Sequence, residues 1–246
     1  MPNTTMQWRS RIDRAISSGG LVFQRQCIFL PMSRSPSFYE LLVRLAEPSG
    51  ELIPAARFIN DAVPEQLKAI DQLAAIGAIN QAQSTGIPHA FNLSGHTLND
   101  LSFPTFLSEQ IDKSSVNPRC LILECTEQVA LLMVSTQVLA ALRELRIQVS
   151  LDDLGAGYAS IPAVLAIAPD ILKVDGSIVR LLAIDHWRES IVYGIMAGAH
   201  HHGLKLVLEH IESGLIEGRA IALAEDFPGL NLYFQGWLYG KSEICG

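Results

Sequence analysis

Along the chain, short apolar stretches with a period of two alternate with longer ones whose apolar residues recur every three or four positions. The first kind predicts strands and the second amphipathic helices. Trp8, Ile12, Ala15 and Ile16 share a face of a helix over 7–18, which ends at Gly19-Gly20. Strands are expected over 21–30, 37–45, 87–93, 121–124, 147–151, 170–174, 204–208 and 230–234. Helical spacing fills most of the gaps. Two helices are expected in 54–83, broken near Pro64, with others over 98–113, 126–146 and 176–202. The fifth strand has Ile147, Val149 and Leu151 alternating with Gln148 and Ser150, then Asp152-Asp153 and a loop with Gly155 and Gly157. Adjacent strand residues point to opposite faces, so both carboxylates reach one centre only if the backbone bends there. The two glycines are expected to allow that bend.

Eight strands separated largely by helices predict an α/β protein of the (β/α)8, TIM-like barrel type, and the absence of an internal repeat or linker predicts one domain. In such a barrel the C-terminal strand ends converge on one mouth. Asn92, Glu124, Asp152, Lys173, Glu209 and Gln235 stand at those ends on strands three to eight, and Glu40 lies within strand two. So many polar groups aimed at one place point to a site rather than to a packing accident.

Composition narrows the chemistry. The 246 residues carry a net charge of −7, which argues against a broad basic surface for nucleic acid polymers but leaves a small anionic ligand open, given a local cation. The four cysteines, Cys27, Cys120, Cys125 and Cys245, lack zinc-site spacing and are too sparse for a disulfide scaffold, so a reducing cytoplasm is expected. No apolar stretch reaches membrane-spanning length, and no membrane contact is expected of this segment. His200-His201-His202 looks like a metal motif, but successive helix positions diverge, so a basic helix end before Gly203 is the better reading.

An ordered series of motifs resembles the EAL-domain phosphodiesterases, which hydrolyse the bacterial second messenger cyclic di-GMP. The Glu-Ala-Leu signature with its following arginine is matched by Glu40-Leu41-Leu42-Val43-Arg44, and Asn-Leu-Ser by Asn92-Leu93-Ser94. Glu124-Cys125-Thr126-Glu127, Asp152-Asp153-Leu154-Gly155-Ala156-Gly157-Tyr158-Ala159-Ser160 and Leu172-Lys173-Val174-Asp175 match three further motifs. The departures fall around the ionisable residues: Leu41 replaces an alanine, Leu154 a phenylalanine, His210 a glycine and Ser242 a proline.

The resemblance implies a barrel whose first strand is antiparallel, and two Mg²⁺ or Mn²⁺ ions held by Glu40, Asn92, Glu124, Asp152 and Asp153. It further implies Lys173 and Glu209 as catalytic groups, Gln26, Arg44 and Gln235 as contacts to substrate or its water network, and Glu127 and Glu212 as loop supports. Arg44 also has a plainer reading, a surface salt bridge. The implied reaction gives the linear dinucleotide pGpG. The alternative is a weak or inactive cyclic di-GMP receptor that signals by dimerisation, a reading favoured by the replaced glycine at His210. A homodimer, and a sensory or GGDEF-type domain elsewhere in a longer protein, are the partners the resemblance suggests.

Overall fold

A computed structural model describes residues 4–33, 35–126, 129–130, 134–157 and 160–245. Strands β1 (Leu21–Phe29), β2 (Pro36–Ala46), β4 (His89–Asn92), β5 (Leu121–Thr126), β6 (Gln148–Leu154), β7 (Ile171–Val174), β8 (Lys205–Leu208) and β9 (Asn231–Phe234) close into a barrel. From β2 through β9 neighbours are parallel, whereas β1 is antiparallel to both β2 and β9. The expected eight strands and the antiparallel first strand are both present. Two short strands without an apolar repeat, β3 (Leu52–Pro54) and β10 (Glu243–Ile244), add to the outer edges of β2 and β1.

The helices depart more from the sequence pattern. Helix α1 (Thr4–Ser18) is as expected. Of the two helices in 54–83, only α2 (Pro64–Thr85) is α-helical; the first is two 3₁₀ turns, Ala55–Arg57 and Ile59–Asp61, because Pro64 suits a first helical turn and disfavours helix before it. Helix α3 (Ser102–Ser114) starts four residues later than expected, after a turn in which Asp100 accepts from Ser102 N at 2.9 Å. The stretch 126–146 is likewise divided: α4 (Thr136–Glu144) has its own N-cap, Ser135, and the expected Leu132 and Met133 lie outside the described residues. Helix α5 (Ser160–Ile167) follows the glycine loop.

The helix expected over 176–202 is two, α6 (Gly176–Val179) and α7 (His186–His202). Asp185 breaks it by accepting from Trp187 N and Arg188 N, since a short polar side chain at an N-cap satisfies amides the helix leaves open. Helix α8 (Gly214–Ala224) lies between β8 and β9, where no helix was expected.

A floor of inward side chains fills the barrel: Ile28, Phe38, Ala90, Ile122, Ile171, Val207 and Tyr233. The outward residues of the same strands, including Leu41, Phe91, Leu123, Val149, Leu172, Leu206 and Leu232, pack with the helices in the main core. Strand period then fixes what lies above the floor. Two residues beyond Phe38, Ala90, Ile122, Ile171, Val207 and Tyr233 come Glu40, Asn92, Glu124, Lys173, Glu209 and Gln235. On antiparallel β1 the offset reverses, and Gln26 lies two residues before Ile28.

Candidate active site

The mouth of the barrel holds one ammonium among four carboxylates. Lys173 Nζ, fully buried, lies 3.2 Å from Glu40, 3.4 Å from Glu124, 3.1 Å from Asp152 and 3.0 Å from Glu209. Glu40 is the best held acid. It accepts from Gln235 Nε2 at 2.7 Å and from Asn92 Nδ2 at 3.3 Å, besides Lys173. Glu124 is the opposite case: both its oxygens are buried without a hydrogen bond.

The paired aspartates are aimed by a bulge rather than by the glycines alone. Leu151 pairs with Leu172 but Leu154 with Val174, so β6 carries one residue more than β7 over this span. Asp153 takes up the excess in a left-handed conformation, φ +59°, and its N–H donates to Asp152 at 3.0 Å. The glycine freedom expected there is used two residues later, at Gly155 (φ +93°), where a Cβ would meet Ile178 at 2.2 Å. Gln235 is positioned by Gly236, whose Cβ would lie 2.3 Å from the Ile211 carbonyl oxygen; only glycine lets these two backbones run so close.

Electrostatics follow from burial with too few cations. Burial, then the neighbouring acids, raises Glu124 well above the carboxylate range despite Lys173. Burial also raises Asp152, pushes Glu209 up to about 8, and with the adjacent Asp152 pushes Asp153 up to about 6. For Glu40 burial opposes ionisation, but Lys173 and the bonds from Gln235 and Asn92 outweigh it and hold the acid low. Lys173 is held firmly as ammonium by its carboxylates, although burial works the other way.

Around this centre opens a groove of about 780 Å³ lined by Arg44, Asn92, Ser94, His96, Asp153 and apolar residues of β2 and α2. Among the described residues Arg44 pairs with no carboxylate; it donates to Gln24 Oε1 at 2.8 Å and to the Val43 carbonyl at 3.0 Å. Gln26 accepts from Gln235 at 3.3 Å, so it reaches the site through that amide. Glu212 lies apart from the cluster, 3.7 Å from Arg180 and 3.8 Å from His210. Glu127 lies outside the described residues.

Sequence reasoning missed Asp71, a buried acid of α2 that accepts from Ser94 N–H at 2.9 Å and from its hydroxyl at 2.6 Å, fixing the loop after Asn92. The signal was an acid set against Ile70, Ala74 and Ala75 on a helix face that, past Gln66 in its first turn, is otherwise apolar.

Among the described residues, Glu40, Glu124 and Asp152, and again Asp152, Asp153 and Glu209, bring donor oxygens within 4.8 Å of one another, close enough to share a cation. The donors are carboxylate oxygens, which suits a hard ion such as Mg²⁺ or Mn²⁺ better than a soft one, and the unbonded oxygens of Glu124 fit the same role.

Comparison with known proteins agrees with this architecture. The chain is 30% identical over 85% of its length to the Escherichia coli protein named cyclic di-GMP phosphodiesterase PdeF, and 28% identical over 96% to that named PdeB from Shewanella oneidensis. It spans 28% of the length of each of these relatives. Among solved structures, the PaMucR phosphodiesterase in complex with c-di-GMP superposes with a TM-score of 0.83 at 24% identity, covering 96% of this chain and 97% of that one. The FimX EAL domain of Pseudomonas aeruginosa bound to c-di-GMP gives 0.83 at 20% identity, covering 98% and 97%. These two likenesses establish the barrel. Residues 9–241 match the sequence model of the EAL domain, and the chain therefore belongs to the EAL domain family.

Proposed function

We propose that this segment is a single EAL barrel, a part of a longer signalling protein, that hydrolyses cyclic di-GMP to linear pGpG. The observation that carries the reading is the convergence of Glu40, Glu124, Asp152 and Glu209 on Lys173 at the mouth of the barrel, beside a groove that has Arg44 in its wall. Kinship supports it, because relatives over most of this chain are named cyclic di-GMP phosphodiesterases.

In this reading Glu40, Asn92, Glu124 and Asp152 would hold one Mg²⁺ or Mn²⁺, and Asp152 and Asp153 would help to hold a second, with Glu209 nearby. Bound there, the ions supply charge neutralisation at the phosphodiester and a more acidic water. Arg44 offers its two-pronged guanidinium to a phosphate. Lys173 is an ammonium committed to its carboxylates, so its part is to donate hydrogen bonds and orient water. Glu209, at the edge of that set, takes the water's proton. The water oxygen bonds to phosphorus, the P–O3′ bond breaks, and the departing 3′ oxygen takes up a proton from solvent while Glu209 returns its own, so one water is consumed. Gln235 and Gln26 keep Glu40 in place for this work.

The reading extends to a second copy of the chain. An open apolar cavity of about 610 Å³ lies between α5 and α7, lined by Leu154, Pro162, Leu165, Ile191 and Ile195, with Leu165 76% exposed. Leu154 belongs both to this cavity and to the strand that carries Asp152, so self-association there reaches the site.

Incubation of the purified domain with cyclic di-GMP and Mn²⁺ or Mg²⁺, followed by chromatography, tests the reaction. Linear product supports it. Tight binding with no product gives the receptor reading instead.

A further inference from the structure

A third group of ligand-type side chains stands beside the cluster and includes the only histidine in such a group among the described residues. Asp175, which ends the segment after β7, Glu209 after β8, and its neighbour His210 bring one donor atom each within 4.8 Å of one another. We propose that Asp175, Glu209 and His210 form a binding site for a borderline divalent cation of the zinc class, sharing Glu209 with the carboxylates around Lys173.

The donor set decides the class of ion. Hard ions such as Mg²⁺ favour carboxylate and water oxygens, whereas an imidazole beside two carboxylates suits Zn²⁺ and its neighbours. A tetrahedral ion with ligands about 2.0–2.2 Å away needs donors about 3.4 Å apart. The three donors therefore close in by little more than 1 Å, roughly what side-chain rotation gives.

The fold fixes the imidazole rather than leaving it to wander. His210 has φ +53°, and its ring lies on the backbone of Gly176, where a Cβ would meet Cδ2 at 1.8 Å. The Glu212 carboxylate is 3.8 Å from His210 Nδ1 and 3.7 Å from Arg180, too long for a hydrogen bond as it stands, so a modest rotation brings it to the ring in the way carboxylates commonly hold metal-bound histidines. Charge points the same way. Glu40, Glu124, Asp152, Asp153, Glu209 and Asp175 crowd this end of the barrel, and Lys173 is the cation at their centre.

Occupation would have a consequence for the neighbouring centre. Glu209 Oε1 is 3.0 Å from Lys173 Nζ, so an ion on the His210 side competes with Lys173 for that carboxylate.

The inference rests on these three side chains and not on hydrolysis, so the test needs no substrate. Zn²⁺ binding to the intact domain is measured by equilibrium dialysis in saturating Mg²⁺, which fills the all-oxygen sites. His210→Gly is a clean variant, since glycine accepts φ +53° without strain and the fold should be unharmed by circular dichroism. The wild type is expected to hold one tight Zn²⁺ with an imidazole nitrogen in its X-ray absorption spectrum, and His210→Gly to bind it more than about 100-fold more weakly, beyond the loss typical of an outer residue. Asp175→Asn should weaken it as well. Equal affinity in wild type and His210→Gly would overturn the proposal, as would tight binding abolished by the control His201→Gln/His202→Gln at the end of α7.

Discussion

Replacing Lys173 with methionine keeps the length of the side chain and removes the charge that four carboxylates share. At an effective dielectric constant of 20, each lysine–carboxylate pair at 3.0–3.4 Å is worth about 5 kcal/mol, and each pair of carboxylates with donor oxygens within 4.8 Å of one another repels by about 3.5 kcal/mol or more. One lysine makes four attractions, while Glu40–Glu124, Glu40–Asp152, Glu124–Asp152 and Asp152–Glu209 each repel by at least that amount and the two wider pairs add less, so repulsion offsets most of the attraction. The ionised cluster therefore gains little from itself and still bears its desolvation. Without the lysine the repulsion stands alone, and the acids must take up protons for the domain to fold. The expected loss in EDTA is about 3–5 kcal/mol, the usual result of removing one partner from a buried ion set. For a chain of this size that lowers the midpoint by about 6–20 °C. Mn²⁺ should restore more stability to Lys173→Met than it adds to the wild type, because the variant offers it one more uncompensated charge. Thermal and urea unfolding with and without Mn²⁺ read both effects. A variant as stable as the wild type in EDTA, or one indifferent to Mn²⁺, would refute the electrostatic account.

Glu40→Ala should abolish hydrolysis while leaving the far-ultraviolet spectrum unchanged, since Glu40 gathers bonds from Lys173, Gln235 and Asn92 at the mouth but none of the barrel's backbone pairing depends on its side chain; normal turnover would remove it from the site. Gly236→Ala puts a methyl 2.3 Å from the Ile211 carbonyl oxygen and should cost about 3 kcal/mol in urea unfolding, the upper end of overpacking, because the opposing atoms are backbone; a neutral result would mean the two loops part freely. Burial holds His89 at about 4, with Nδ1 donating to the Ile87 carbonyl at 2.9 Å and Nε2 buried without a partner. The unfolded chain protonates first, so this stability is complete above about pH 6.5 and fades as pH falls toward 4, by at most about 3 kcal/mol. A His89→Gln variant should lack that part of the pH dependence in denaturant titrations, and an unchanged profile would place it elsewhere. Leu154→Phe should fill part of the open cavity between α5 and α7 and change the dimer constant measured by analytical ultracentrifugation with cyclic di-GMP and Ca²⁺; an identical constant in both proteins would separate the loop from self-association.

The barrel was legible because period two and the position of charges say the same thing. Strands whose alternate residues are apolar must set every second side chain inward, and on six strands the inward residue next above the floor is polar. Helix limits were less legible. Pro64, Asp100, Ser135 and Asp185 are common both inside loops and at helix starts, and an apolar repeat that continues across them hides the break. The convergence on Lys173 could be expected from strand ends, but not the sharing of one ammonium by four acids. That depends on a side chain long enough to cross the mouth, and distances across a barrel leave no mark on spacing along a chain. The bulge at Asp152-Asp153 was half visible: two adjacent acids demand a bend, yet glycines two and four positions later suggested the wrong residue for it. Aspartate tolerates φ +59° better than most non-glycine residues but far less readily than glycine, so propensity favoured the glycines over Asp153.

That misplaced bend has a physical meaning. A left-handed aspartate and a crowd of acids around one lysine both work against stability, and both lie at the same end of the barrel. The floor below them is apolar apart from the Tyr233 and Ser150 hydroxyls, and the outward faces of the same strands are packed against helices. Stability is thus supplied by one set of strand positions and consumed by the next set two residues on. An acid such as Glu124, with neither oxygen hydrogen-bonded, persists only because the strand that carries it is anchored by Ile122 inside and Leu121 and Leu123 outside. Weakening that anchorage should therefore release strain at the mouth before it opens the barrel, which makes the acids the first part of the fold to respond when a cation binds.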